Sequence, residues 1–429
     1  MKAGGEGHGS GASRGAVGVS VILSVILAML PLAALAENGG TARSTSAAAT
    51  ALIEEEAAGS IRLRGGIDAN PRLLPDGKAS AFAGIDGSFA IGRRTGDWLF
   101  GVTGEAEHLE YALRGLEPAE RYRLGVNAET EAFAGWSLRP GTIVERERNA
   151  TLHAFDATQR LRAQWTGGAL RPFVSVELGY HTLNETNAIL TDFLPDPQRF
   201  GRAAITPGVT LKAGGAEIGA SVSVSATRYA APVDLFGFRR DNERLQPFLF
   251  ARYSEPGLDV SASVSRLYGR WRDVDFSPVK ETLFDVSLTR SRGPFTLELG
   301  ASRYAEDTTF PISPVTINDA FLARLNYEPN EQWSFGAVLR GLRTRYLDSP
   351  FVSRVLAYGG SVSYALSDEW RIGAQVLRLD ATAINGEPAN GGIATLSLSR
   401  SLSTNGERER RTPGEAPAAA RWSPRSLKH

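Results

Sequence analysis

The stretch that most limits what this chain can become is "IGASVSVSATRY" (218–229). Ile218, Ala220, Val222, Val224 and Ala226 are apolar, and the residues between them are small or polar. That is a period of two, the mark of a strand with one apolar face. Strands of soluble sheets commonly run to about 5–6 residues. This one approaches the roughly 9–11 residues that carry a tilted strand through a bilayer. Its apolar face meets either a second sheet or lipid, and the rest of the sequence has to choose.

Similar segments recur from 60 to 402. They include "PFVSVELGYH" (172–181), "LDVSASVSRLYGRW" (258–271), "PFTLELGASRY" (294–304) and "WSFGAVLRGLRTRY" (333–346). Their connections are of two kinds that take turns. Eight are short, such as "RTGD" (94–97), "RPGT" (139–142), "KAGG" (212–215) and "EPNEQ" (328–332). The others are long and polar: 69–78, 112–121, 184–202, 231–244, 271–281, 305–318, 347–354 and 384–391. Tight turns at one end and long loops at the other are the habit of a transmembrane β-barrel. The spacing predicts an all-β, antiparallel barrel of about 16–18 strands. Residues 142–165 are ambiguous, reading as two short strands or two longer ones around a loop. A soluble β-sandwich is the alternative, with the serine face of 218–229 in solvent.

Aromatic residues sharpen the choice. Trp98, Trp136, Trp165, Phe173, Tyr253, Phe295, Tyr327, Trp333, Tyr364 and Trp370 lie within a few residues of a short turn. Rings with a wet tip collect at membrane–water boundaries. The girdle is therefore expected to include Trp98, Trp136, Trp165, Trp333, Tyr364 and Trp370. Two turns match closely, "YEPNEQWSFGA" (327–337) and "YALSDEWRIGA" (364–374). On this reading Ile218, Val222 and Val224 face lipid, and Ser221, Ser223 and Ser225 face the lumen. Arg340 points inward if Trp333, Phe335, Ala337 and Leu339 point outward. Arg303, Arg343, Arg345 and Arg378 sit towards the long-loop ends, where charged lipid headgroups are the expected contact.

The N-terminus reads as an export signal. Lys2 and Arg14 precede an apolar run, 16–36, that ends Ala34-Leu35-Ala36. That small-x-small ending predicts cleavage before Glu37, with 1–36 removed. The run is long enough to span a bilayer as an uncleaved anchor, but Pro31 and the small residues favour cleavage. Residues 37–59 read as a flexible periplasmic lead-in, with one helical turn at 48–57. Residues 403–429 read as a disordered periplasmic tail, rich in Pro, Gly and charge.

Composition excludes several functions. The net charge is zero, so nothing recommends a nucleic-acid partner, and with no cysteine neither thiol catalysis nor thiolate metal binding is available. No HExxH, Gly-x-Ser-x-Gly, phosphate-loop or GxGxxG motif occurs. Two clusters are possible sites: His153 with Asn149 and Asp156, and His108 with its neighbouring glutamates. In the second, alternation lets only His108 and Glu110, or Glu105 and Glu107, share a face. Neither is a convincing site, so no catalytic residue, metal or cofactor is expected, and no enzyme.

The stretch "LRGGIDANPRLLPDGKASAFAGIDGSFAI" (63–91), followed by many hairpins with Tyr-x5-Trp turns, resembles the outer-membrane β-barrel porins of Gram-negative bacteria. Within them it is most similar to the porin-2-like barrel family, some of whose members accompany exopolysaccharide export. "GIDANPRLLP" (66–75) looks like that family's opening strand and loop, with Asn70 where such loops carry Asn. The resemblance implies a barrel over 60–402 in the outer membrane, passing solutes passively or exporting exopolysaccharide. Implied partners are outer-membrane lipid and lipopolysaccharide, the barrel-assembly machinery and polysaccharide export components. The alternatives are a non-conducting structural or adhesion barrel, and a soluble periplasmic β-sandwich that binds a ligand. The chain departs from the pattern in its last strand, which ends on Leu402 rather than an aromatic, with Leu396 and Leu398 in the aromatics' place.

Overall fold

The computed structural model describes residues 56–403, except 73, 75–76, 133–134, 150–151, 186–196, 311–312 and 385. The expected signal, most of the lead-in and the tail lie outside the described residues. Eighteen strands follow in order: β1 Glu56–Asp68, β2 Ser80–Thr95, β3 Trp98–Tyr111, β4 Ala119–Ala132, β5 Trp136–Arg148, β6 Leu152–Trp165, β7 Leu170–Glu185, β8 Gln198–Ala213, β9 Ala216–Tyr229, β10 Asn242–Glu255, β11 Leu258–Trp271, β12 Val279–Arg292, β13 Phe295–Asp307, β14 Val315–Tyr327, β15 Trp333–Tyr346, β16 Val352–Ala365, β17 Trp370–Thr382 and β18 Gly391–Ser403. Each pairs antiparallel with its neighbours in sequence, and β1 also pairs with β18. The sheet closes on itself, so it has no terminal edge strand to expose.

The strand number is the upper end of the expectation. Residues 142–165 resolve into parts of two full strands, β5 ending at Arg148 and β6 beginning at Leu152. The short turn expected at 139–142 lies inside β5, where these residues pair with β6. Between the two strands Asn149 replaces the missing length: its Oδ1 accepts from the Leu152 N–H at 3.0 Å, and its own N–H donates to the Leu152 carbonyl at 2.9 Å. Glu56–Gly59, expected in the lead-in, belong to β1. The long loops are shorter than expected, because β8 begins at Gln198 and β14 at Val315.

Pairing fixes which face of each strand looks in. In β9, Ser221, Ser225 and Thr227 stand opposite Gly208, Ala204 and Arg202 of β8. Ile218, Val222 and Val224 point the other way and are 60%, 40% and 50% exposed. Leu249, Ile205, Val264, Val376 and Leu396 continue that exposed apolar band around the wall. In water each exposed side chain would cost up to about 1.5–3 kcal/mol relative to burial, so a whole belt of them marks a lipid-facing surface.

The two matching turns share their chemistry. Asn330 Oδ1 accepts from the N–H groups of Gln332 and Trp333, at 3.0 and 2.9 Å. Ser367 Oγ accepts from Glu369 and Trp370, at 3.4 and 3.2 Å. In both, a polar side chain three residues before the Trp closes the turn and sets the ring on the outer face. Trp333 then packs on Tyr364 at 4.8 Å between ring centroids, and Trp136 on Trp165 at 5.8 Å. Trp98 stacks on Phe100 of the same face at 6.0 Å, and Trp370 lies under the Arg400 guanidinium. Phe173 is the exception among the turn aromatics: it faces inward, because its own strand alternates Phe173, Ser175, Glu177 on the lumen side. A second band lies further along the wall. Tyr268 is eight residues beyond Val260, the strand partner of Tyr253. With a rise of about 3.4 Å and a tilt near 40°, that separates the two by about 21 Å.

Candidate functional site

The inner wall has two kinds of surface. Over β1 to β8 it carries a ladder of charge. Arg62 and Arg64 meet Asp86 at 2.7 and 2.8 Å, and Arg64 also pairs with Glu107. Arg121 meets Glu145 at 2.9 Å, His181 meets Asp156 at 2.6 Å, and Arg160 meets Glu177 at 3.1 Å. Partly hydrated pairs contribute at most about 1 kcal/mol each, so the ladder shapes the field of the lumen more than it holds the wall.

Over β9 to β12 the wall carries hydroxyls. Thr206 donates to Ser223 at 3.1 Å, Gln246 to Ser265 at 2.9 Å, and Ser261 and Ser287 share a proton contact at 2.7 Å. Ser221 and Ser225 flank Ser223 on the same face. Arg340 stands inward on β15, opposite Leu322 and Ala357. Its neighbour Arg324 is bridged by Glu298 at 2.9 Å, while Nε of Arg340 is buried without a hydrogen bond. Ser223 and Arg340 each lie seven residues into their strands from the short-turn end. They sit at one height on separate parts of the wall and are not brought together.

The expected clusters disperse. His153 turns outward to Glu117 at 3.0 Å, whereas Asp156 turns inward to His181. His108 keeps Glu110 at 3.1 Å and gains Glu120 at 3.5 Å, with Glu107 on the opposite face. Among the described residues no group of three or more His, Cys, Asp or Glu is placed to hold a metal ion.

What the sequence did not reveal is a flap. Pairing between β12 and β13 ends at Phe284↔Arg303, although β12 runs on to Val279 and β13 to Asp307. Beyond Arg303 the tips of β13 to β15 part from β12 and turn inward, still paired with one another and, through Arg345↔Val352, with β16. Their formerly outer face then packs against the inner face of β10 to β12. Val315 is buried with Leu267, Trp271, Phe276, Val279 and Leu283, and Ala305 and Leu347 pack on the same cluster. Arg345, expected among the headgroup arginines, instead meets Glu281 of β12 at 3.3 Å. The driving force is plain: Leu267, Trp271 and Leu283 would otherwise face a watery lumen.

Polar contacts lock the flap. Asp307, at the tip of β13, pairs with Arg244 of β10 and with Arg202 of β8. Arg240, before β10, donates to the carbonyls of Thr308, Phe310 and Ser313 at 2.8, 2.9 and 3.2 Å. The same guanidinium pairs with Asp234 at 2.7 Å, both side chains being almost fully buried. Glu185, at the end of β7, accepts from the Thr309 N–H at 2.9 Å. Behind Arg202 lies a second apolar group, Leu152, Ala154, Leu183 and Phe200, with Tyr229 against it. The long-loop end of the lumen is thus narrowed by packed side chains, while the short-turn end keeps its charged and hydroxylated walls.

Asn70 has a structural part. Its Nδ2 donates to the Leu74 carbonyl at 2.7 Å and to the Asn390 carbonyl at 2.9 Å, and its Oδ1 accepts from Leu74 N–H at 3.1 Å. It ties the β1–β2 loop to the β17–β18 loop, next to the seam where the barrel closes. Gly77 lies so close that a Cβ there would stand 1.8 Å from Asn70 Oδ1.

An outward apolar belt, two aromatic bands, a polar interior and full closure define a transmembrane β-barrel. No family model matches the chain, and no curated protein matches it. Solved structures do. The copper transporter OprC is 11% identical over 81% of this chain and 80% of that one, with a TM-score of 0.44. The outer membrane protein OpdK of Pseudomonas aeruginosa is 7% identical over 81% and 98%, with a TM-score of 0.43. OpdQ of Pseudomonas aeruginosa is 11% identical over 82% and 100%, with a TM-score of 0.41. At these scores the likenesses decide neither solute nor mechanism.

Proposed function

We propose that this chain is an outer-membrane channel of the porin kind, passing small hydrophilic solutes and held narrow at its long-loop end by the β13–β15 flap. The observation that carries the reading is the flap's setting: a packed constriction across a lumen whose remaining wall is hydroxylated and charged. A structural barrel needs a strong wall; it has no use for Ser221, Ser223 and Ser225 in a wetted interior. The flap supports small solutes over an exopolysaccharide chain, which would need it displaced along its whole length. The outer-membrane setting rests on the belt geometry and on the export signal expected at 1–36.

Purified protein in a planar bilayer tests the proposal. Stepwise currents are expected, with small polyethylene glycols entering the pore and lowering conductance while large ones do not. Silence from the unmodified protein and from variants with a released flap would leave the non-conducting structural barrel as the answer.

A further inference from the structure

The parting of β13 from β12 leaves an open strand edge in the wall. Beyond Phe284, β12 keeps its place, paired with β11 as far as Val279. On its other side no strand pairs with it there among the described residues. That edge carries backbone N–H and C=O groups that a returning strand would satisfy. β13 meanwhile runs on as a strand to Asp307, laddered to β14 throughout. The flap's far side remains joined to β16 through Arg345 and Val352. A swing about that side carries β13 back towards β12.

The register of the wall decides which residues would then meet. Below the fork Val286 faces Ala301, Asp285 faces Ser302 and Phe284 faces Arg303. Continued without a shift, this sets Leu283 opposite Tyr304, Thr282 opposite Ala305, Glu281 opposite Glu306 and Lys280 opposite Asp307. The parity suits a wall, with Thr282, Ala305, Lys280 and Asp307 all on the outer face. Lys280 is exposed and has no ion pair among the described residues. Asp307 would exchange Arg202 and Arg244 in the lumen for Lys280 at the rim. Two costs oppose the exchange. Leu267, Trp271 and Leu283 lose the cover of Val315 and Ala305. Glu281 and Glu306 come face to face, and like charges across a rung repel. Both costs make the rejoined wall the minor state.

We infer that the flap is a hinged gate with two seats, one in the lumen and one in the wall, and that Lys280 is the wall-side partner of Asp307. Rejoining lifts the tips of β13 to β15 off the inner face of β10 to β12 and clears the long-loop end of the lumen. The gate is a property of the wall and holds whether or not the lumen conducts.

The chain contains no cysteine, so an introduced pair reports alone. With the flap in the lumen, Thr282 is on the outer face of β12, while Ala305 packs on the apolar cluster at the inner face. T282C/A305C can therefore form a disulfide only in the rejoined wall, where directly opposite residues come within bridging distance. V286C/A301C, on a rung already formed, shows that the barrel is folded and open to oxidation. In the full folded chain in detergent, under mild oxidant, T282C/A305C should cross-link slowly. Adding R202Q/R244Q should speed it at least about tenfold, by removing the cations that hold Asp307 in the lumen. If that variant does not fold, R202Q alone should give part of the gain. Adding K280Q should slow cross-linking about two- to fivefold, the loss expected of an exposed ion pair. D307K should cross-link more slowly than K280D/D307K, where the exchanged charges attract again. No cross-link in any background, with V286C/A301C forming, overturns the gate. Equal rates for T282C/A305C and the shifted pair T282C/E306C overturn the register, and an inert K280Q overturns the part of Lys280. Cross-links are read on a gel, so failure here is separable from silence in a bilayer.

Discussion

Arg202 of β8 donates to Asp307 at the tip of β13, a strand five places further round the wall. Neighbours in a barrel meet through the sheet; these two meet through the lumen. The contact exists only because β13 leaves β12 after Arg303, and it makes Asp307 the point on which the flap's position turns.

Replacing Asp307 by Asn should free the flap. The amide keeps a hydrogen-bond acceptor but loses the charge that holds two arginines. Removing one partner of a buried ion pair costs about 3–5 kcal/mol, most of it from the charge left behind. The barrel's other pairings remain, so the loss should fall on the flap. Single-channel recording should find larger or more frequent openings than in the unmodified protein. Unchanged currents in D307N would mean that the flap does not limit passage.

Arg240 should act as the latch from the opposite side. Arg240→Met keeps the length of the side chain while leaving Asp234 buried without its cation and three carbonyls without a donor. A loss of about 3–5 kcal/mol is expected in denaturant titration, with new protease cutting at 308–314 in the folded barrel. Adding Asp234→Asn should recover part of the loss, since the stranded charge is gone. Full stability in Arg240→Met would sink the latch.

Asn70→Ala should cost about 1–3 kcal/mol, by leaving the Leu74 and Asn390 groups unpaired near the closing seam. Gly77→Ala should be at least as harmful, because its Cβ would collide with Asn70 Oδ1. Combining the two should be milder than their sum, the collision having lost its target. A simple sum of effects, measured by the heat at which the gel form changes, would contradict the contact.

Much of this was legible in the sequence, for local reasons. Alternation places Ile218, Val222 and Val224 on one face whatever lies beyond, and Asn330 and Ser367 set Trp333 and Trp370 by contacts within three residues. Seven of the eight expected short turns fall between strands. The one expected at 139–142 instead lies within β5, which begins at Trp136, four residues after β4 ends at Ala132. Pro140 and Gly141 look like a turn locally, while their pairing with β6 carries the strand through. The flap was not legible, because alternation assigns faces and says nothing of where a pairing edge stops. Asp307 and Arg345 belong by parity to the outer face, and only the parting of β13 from β12 turns that face inward. Phe173 failed more simply: closeness to a turn does not say which side of the sheet a ring takes, and one residue of register decides it. Arg202 and Arg244 read as ordinary lumen charges, with no local mark of a partner lying 105 and 63 residues away.

The sharpest contrast lies within β9. Val222 is 40% exposed on the outer face near the middle of its strand, and Ser223 is on the inner face, paired with Thr206. Val222→Arg should hinder assembly, since a charge at mid-bilayer costs a barrel about 2–4 kcal/mol. Ser223→Arg should assemble normally, because arginine keeps its hydration in a wetted lumen. It should then lower the single-channel current or shift selectivity towards anions, a fixed positive charge repelling cations at close range. Assembly of the two variants is read from the heat-modifiable form, and current from a planar bilayer. Equal assembly of both would remove the lipid face from β9. An assembled Ser223→Arg with unaltered current through a conducting barrel would take Ser223 off the solute path, and the hydroxyl wall of β9 to β12 would then have to be explained by packing alone.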